Sequence, residues 1–200
     1  VLPSLLEGKV YALLRLEKPE EALFWADSLV KAAKELNDAY YRAKGHYWLY
    51  FLNLNDNQIK PAYEHLFRSK QLYLAMGDSA GAGWRSLDMA HLRYNSGDLT
   101  GAQEAAIDAI TLLDEQEAPH LISGAYNTIG LSYLDRDLNE EAIKEFKNAL
   151  EYAVNEKDSL VFMHNWALAL NNQEKYDESL KIFEELLESE APSENSRSLY

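Results

Sequence analysis

Two hundred residues, 47% of them hydrophobic, are enough to bury a core, as one domain or as one array of small repeats. The absence of cysteine excludes disulfides, thiolate zinc centres and cysteine nucleophiles. A net charge of −14 argues against direct nucleic-acid binding, which needs clustered Lys and Arg, and no run nears the roughly 18 apolar residues of a membrane-spanning helix.

The charge is unevenly placed. Lys31, Lys34, Arg42, Lys44, Lys60, Arg68, Lys70 and Arg85 face five acids over their segment, whereas no Lys or Arg falls between Arg93 and Arg136. That acidic stretch reads as a solvated surface, or as a face for a cationic partner. The chain opens on Val1 without methionine and shows no signal-peptide pattern, so we expect it to be an excerpt of a longer protein. The absence of cysteine identifies no compartment; the cytoplasm is slightly favoured, with the periplasm as the alternative.

In chain order, five similar phrases appear: PEEALFWA, KPAYEHLF, TGAQEAAI, NEEAIKEF and YDESLKIF. They place Ala22, Ala62, Ala102 and Ala142 forty residues apart, with Ser179 in the same slot after a gap of 37. A second marker runs in register at Asn37-Asp38, Gly77-Asp78, Glu117-Ala118 and Lys157-Asp158. The expected units are 1–36, 37–76, 77–116, 117–156 and 157–190, forming one array over 1–190, with 191–200 a tail or the start of another repeat. Each unit reads as two amphipathic helices. Ala142, Ile143, Phe146, Ala149, Leu150 and Ala153 recur at helical spacing. Asn139 is the expected cap before Glu140 and Glu141, and Pro19, Pro61 and Pro119 fall in first turns. Small residues such as Gly130 and Ala142 let paired helices approach, with Tyr133 and Phe146 filling the hollows and Ala149 admitting the next helix. One pair cannot bury its own apolar stripe, so the pairs must stack: an all-α solenoid of about five antiparallel helix pairs.

Tyr126, Ile129, Gly130, Tyr133, Ala142, Phe146 and Ala149 together resemble the tetratricopeptide repeat (TPR) family, in its extended forty-residue form as found in bacterial regulatory arrays. Val154 stands where that family ends its unit with proline, implying a second helix that runs on. Arg93 stands where a tyrosine is expected, and Tyr50 where a small residue is expected. The resemblance implies that first helices line a concave groove. The positions it assigns there are Lys44, Tyr47, Trp48 and Phe51; Trp84, Asp88, His91, Tyr94 and Asn95; Asn127, Leu131 and Asp135; and His164, Asn165, Leu168, Asn171 and Asn172. Trp48, Phe51 and Leu131 are also candidates for packing between repeats. Aromatic rings and amides suit peptide recognition, and Lys44, Tyr47, Trp84, Asp88, His91, Tyr94, Asn127 and Asn165 are the strongest candidates. HYWLYFL at 46–52 carries rings on nearly every face of its helix. The paired Lys, Asn and Arg of a clamp for a terminal carboxylate are not matched, since only Lys44 and Arg85 approach it.

No sequence feature demands catalysis. GDSAG at 77–81 matches G-x-S-x-G, but that elbow needs a preceding strand and acid and histidine partners. Here Gly77 reads as a helix end and Asp78 or Ser79 as a cap. The five histidines lack metal-ligand spacing, and GAG at 81–83 reads as helix packing, so no cofactor or metal is expected. The expected function is a non-enzymatic module gripping a protein or peptide segment; the long repeat and degenerate units resemble arrays of that family in bacterial signalling proteins, which implies the sensor or regulatory part of a larger protein of that kind. The alternatives are a spacer or self-assembling scaffold, which would form homo-oligomers, and, remotely, a hydrolase built on Ser79.

Overall fold

The computed structural model describes residues 2–190. Ten helices and no strand occur among them: α1 Pro3–Arg15, α2 Pro19–Glu35, α3 Ala39–Asn55, α4 Ile59–Ala75, α5 Ser79–Asn95, α6 Leu99–Leu112, α7 Pro119–Leu134, α8 Asn139–Glu151, α9 Glu156–Asn172 and α10 Tyr176–Glu190. None is long and apolar enough to cross a membrane. The expectation for 191–200 lies outside the described residues.

From α2 to α8 the helices begin at Pro19, Ala39, Ile59, Ser79, Leu99, Pro119 and Asn139, a step of twenty residues, so the forty-residue period is two helix-plus-turn halves. The turns share one construction. Glu17, Asn37, Asn57, Gly77, Gly97, Asp137 and Glu174 all take positive φ between 54° and 83°. At Asn37, its N–H reaches back to Lys34 O and that of Asp38 to Ala33 O, the two bonds of a Schellman cap. The same pair recurs at Asn57, Gly77, Gly97 and Asp137. The next residue then starts the new helix, and where it is aspartate (Asp38, Asp78, Asp98) its carboxylate accepts the N–H of Tyr41, Gly81 or Gly101. One residue ends a helix and its neighbour begins the next, which forces the chain to reverse.

A left-handed conformation costs a non-glycine residue about 1–2 kcal/mol, partly offset because glycine has a freer unfolded chain. Glu17→Gly and Glu174→Gly are therefore each expected to raise unfolding free energy by about 0.5–1 kcal/mol in urea titration. A loss of stability in both would overturn this account of the turns.

By packing, the chain forms two compact units, Val1–Asp114 and Glu115–Tyr200. In the first, α1 to α6 pack consecutively and α1 also touches α3; in the second, α7 to α10 pack consecutively and α7 also touches α9. Odd-numbered helices thus form one layer of each unit and even-numbered helices the other.

Ala22, Ala62, Ala102 and Ala142 are fully buried, and Ser179 fills the same role, its hydroxyl donating to Ala167 O across α9 and α10. Gly130 is a contact point as expected: a Cβ there would lie 2.5 Å from Cε1 of the fully buried Phe146. Gly81 and Gly83 sit against Tyr73 and Leu113 in the same way, the packing role expected of GAG. Arg93, in the expected tyrosine's place, donates to Tyr63 Oη at 2.6 Å and to Gly101 O at 3.1 Å, tying α5 to α4 and α6. Tyr50 is accommodated as a buried ring.

Three local expectations are corrected. Asn139 does not cap α8; Leu138 does, without a side-chain bond, because the left-handed residue is Asp137, in phase with the other turns. Asn139 instead donates to Asp137 O and accepts from Asn172. The second helix does not run on through Val154: α8 ends at Glu151, Tyr152 stacks on Tyr126 at 5.7 Å, and Val154 is exposed. Lys157-Asp158 is not a junction. Asn155 caps α9 by accepting the N–H of Asp158, which places that pair inside the first turn and shortens the step to α9.

Candidate functional site

In the first unit the odd-helix face is built from α1, α3 and α5. Lys44 of α3 does not stand free there. It pairs with Glu7 of α1 at 2.9 Å and lies 5.0 Å from the Tyr40 ring centre. Burial opposes its charge, but its bonds to Glu7 and Tyr40 prevail and hold its pKa above the usual value.

Between α3 and α5 a polar cluster forms. The Arg85 guanidinium stacks 3.6 Å from the centre of the Tyr47 ring and 5.5 Å from that of Trp84. Its Nη1 lies 3.7 Å from Asp88 Oδ2, an ion pair too long for a hydrogen bond. Arg85 is 8% exposed, and both its Nε and Asp88 Oδ2 are buried without a hydrogen-bond partner. Burial holds the Asp88 carboxyl up at about 6, although Arg85 pulls the other way. Burial first, and then the charge of Asp88, also raise the hydroxyl pKa values of Tyr47 and of Tyr50, which adjoins Tyr47.

Trp84 presents its ring to solvent, 48% exposed, at the edge of this cluster. His91 and Asn95 are exposed on the same helix, where a cleft of about 240 Å³ runs between Tyr50, Leu54 and Asn57 and the residues His91, Leu92 and Asn95. Tyr94 is half-buried. Trp48 is half-buried against the Val10, Leu13 and Leu49 core, as a packing residue would be, whereas Phe51 is 39% exposed.

In the second unit the odd helices are α7 and α9. Asn165 is buried and donates from Nδ2 to Asn127 Oδ1 at 2.9 Å, so these two expected residues meet. Asn172 bonds to Asn139 instead, and Leu131 packs on the Ala142–Phe146 core. His164 turns away from Asn165 and sits edge-on to Phe183, beside an apolar cleft of about 520 Å³ between α9 and α10.

Sequence reasoning passed over Arg85 and Tyr50 as site residues. Arg85 stands three residues before Asp88 on one helix, a spacing that places both on one face, and this was the available signal. Ser79 opens α5 directly after the left-handed Gly77 and the capping Asp78, so GDSAG is a turn between two helices rather than a strand-to-helix elbow. Among the described residues no three His, Cys, Asp or Glu side chains gather to hold a metal.

No protein-family model matches this chain, and no curated protein does. Solved structures resemble it closely in backbone. A Podosopora anserina protein of nearly identical TPR-like repeats aligns with a TM-score of 0.73 over 96% of this chain and 99% of its own, at 13% identity. MamA from Desulfovibrio magneticus gives a TM-score of 0.72 over 95% of this chain and 97% of its own at 15% identity, and the apo form of RapI gives 0.81 over 92% and 68%, also at 15% identity. At such identities the likeness speaks of the backbone, and it shows that this chain has the fold of a TPR-like helical repeat protein.

Proposed function

We propose that the chain is a non-enzymatic binding module whose odd-helix face grips a protein or peptide segment. The observation that supports this most is the Tyr47–Arg85–Asp88 cluster: a buried donor and a buried acceptor lacking hydrogen-bond partners, beside an exposed tryptophan. A core arrangement would satisfy both groups, because a buried unpaired polar atom costs about 1–3 kcal/mol. A peptide backbone supplies both a carbonyl for Arg85 Nε and an N–H for Asp88, and Trp84 supplies rigid apolar area. Asn127 and Asn165 support the same reading in the second unit, since their mutual bond leaves the Asn127 amide N–H and the Asn165 carbonyl oxygen for a backbone.

Peptides selected from a displayed library on the whole chain test this. Trp84→Ala is expected to weaken a class of them, those held on the odd-helix face, about tenfold or more by fluorescence anisotropy, with the melting temperature unchanged. An unaltered affinity across all selected peptides would sink the proposal.

On the forty-residue period we place the module in the sensor or regulatory part of a larger bacterial signalling protein, a reading refuted by a parent gene without kinase, DNA-binding or membrane segments. Self-assembly is the second reading. Exposed Val161 and Leu187 at the α9–α10 cleft support it, and a monomer at all concentrations in analytical ultracentrifugation would remove it.

A further inference from the structure

A second surface of the first unit has a different chemistry. Between α2, α3 and α4 runs a groove of about 560 Å³ lined by Val30, Lys34, Arg42, His46, Phe67, Arg68, Gln71, Leu72 and Ala75. Its floor is apolar, with Leu72 buried, and Phe67 stands at the rim 44% exposed. Lys34, Arg42 and Arg68 border it, and no carboxylate belongs to its lining. None of the three cations makes an ion pair or side-chain hydrogen bond among the described residues.

Acids outnumber cations 33 to 19 in the chain. Three cations around one apolar groove with no carboxylate in its lining concentrate positive potential there. The histidines do not dilute this. His46 and His65 face one another, Nδ1 to Nδ1 at 3.1 Å, with stacked rings. Burial first, and then His65, Arg68 and Arg42, hold His46 down at about 4 against the opposing charge of Asp27, and burial lowers His65 as well, so the imidazoles stay neutral at pH 7 and add no charge to the groove.

We propose that this α2–α3–α4 groove is a second binding site, taking an acidic peptide segment in which carboxylates flank one bulky apolar side chain. Lys34, Arg42 and Arg68 pair with the carboxylates, and the apolar side chain lies on Val30, Phe67, Leu72 and Ala75. A peptide fits better than a small molecule: Lys34, Phe67, Arg68, Gln71 and Ala75 are all exposed or half-exposed, so the groove covers one side of its occupant, whereas small-molecule pockets enclose about 70–90% of theirs. The site does not depend on the odd-helix reading, because none of its residues belongs to the Tyr47–Arg85–Asp88 cluster.

The test uses the full chain. Peptides selected from a random dodecamer library are synthesised with a fluorescein label and titrated by anisotropy. The proposal expects a class with at least two Asp or Glu around a Phe or Leu. Its affinity should fall at least tenfold in Arg42→Glu/Arg68→Glu, several-fold in Phe67→Ser, and steeply with added salt, and should be unmoved by Trp84→Ala. If the charge-reversed variant does not melt like the parent, Arg42→Gln/Arg68→Gln replaces it. The proposal fails if no acidic class emerges, or if that class keeps its affinity in the arginine variants. It fails equally if the class loses affinity in Trp84→Ala, which would assign it to the other face, or if serine replaces its apolar residue without loss.

Discussion

Phe146→Ala is expected to lower the unfolding free energy by about 3–5 kcal/mol. The phenyl ring is fully buried and belongs to the cluster that joins α7, α8 and α9 through Ala142 and Ala169, with Leu131, Tyr133, Ile143 and Trp166 packed around it. The ring rests on Gly130, where an added methyl would lie 2.5, 2.7 and 3.1 Å from three of its carbons. A ring held on all sides cannot swing clear, so Gly130→Ala alone costs about 1–3 kcal/mol of overpacking, against about 1 kcal/mol of gained helix propensity. In the Phe146→Ala background the obstacle is gone and only the propensity gain is left. The effect of Gly130→Ala then reverses sign, which a urea-denaturation double-mutant cycle measures. An equal cost in both backgrounds would mean that the notch and the ring do not fit together as described.

That pair was legible in the sequence because a glycine on one amphipathic helix and a phenylalanine on the apolar stripe of the next meet as notch and filler once the helices pack antiparallel. The same is true of the buried alanines at forty-residue intervals, of Gly77 and of Asp78. The turns inside each helix pair were harder to read. Glu17, Asn57 and Asp137 take the left-handed conformation without being glycine, and glutamate gives no local sign that it will do so. The step to α9 was misplaced for a related reason: Lys157-Asp158 looks like a junction, but Asn155 is a cap with its own partner three residues on, and the nearer cap prevails.

The candidate site was legible by type rather than by arrangement. Tyr47 and Asp88 were expected on the odd-helix face, yet what joins them is Arg85, lying on one ring and beside one carboxylate, and no spacing rule predicts that a guanidinium will bury itself there. Lys44 shows the opposite limit. Its sequence position suited a ligand contact, but Glu7, on a helix two elements earlier, takes up its charge. Long-range pairing is decided by which helices become neighbours, and that follows only once the array has stacked.

Asp88→Asn is expected to stabilise the protein at neutral pH, by about 2–3 kcal/mol at pH 7.5. The carboxyl's pKa is about 6 when folded against 3.8 when free, because burial penalises the charged form more than Arg85 favours it. The folded chain therefore holds this proton more tightly than the unfolded chain. The stabilisation from the protonated carboxyl is complete below about pH 4 and is lost as pH rises through 6. Two pKa units correspond to about 3 kcal/mol, and the side chain is only 18% exposed, so solvent screens little of it. Asparagine copies the shape of the protonated acid at every pH, so its advantage should be present at pH 7.5 and vanish near pH 4. Urea titrations of both proteins at the two pH values decide the matter, and a variant less stable than the parent at pH 7.5 would refute the account. An ionised, under-bonded aspartate is a cost the array bears at the edge of an exposed tryptophan, not in its core. A bound segment that offers Asp88 an N–H or a cation removes that cost, so occupancy of the odd-helix face should pull the carboxyl's pKa down. Peptides that depend on Trp84 should then bind more tightly at pH 7.5 than at pH 5, and should lose that pH dependence in Asp88→Asn.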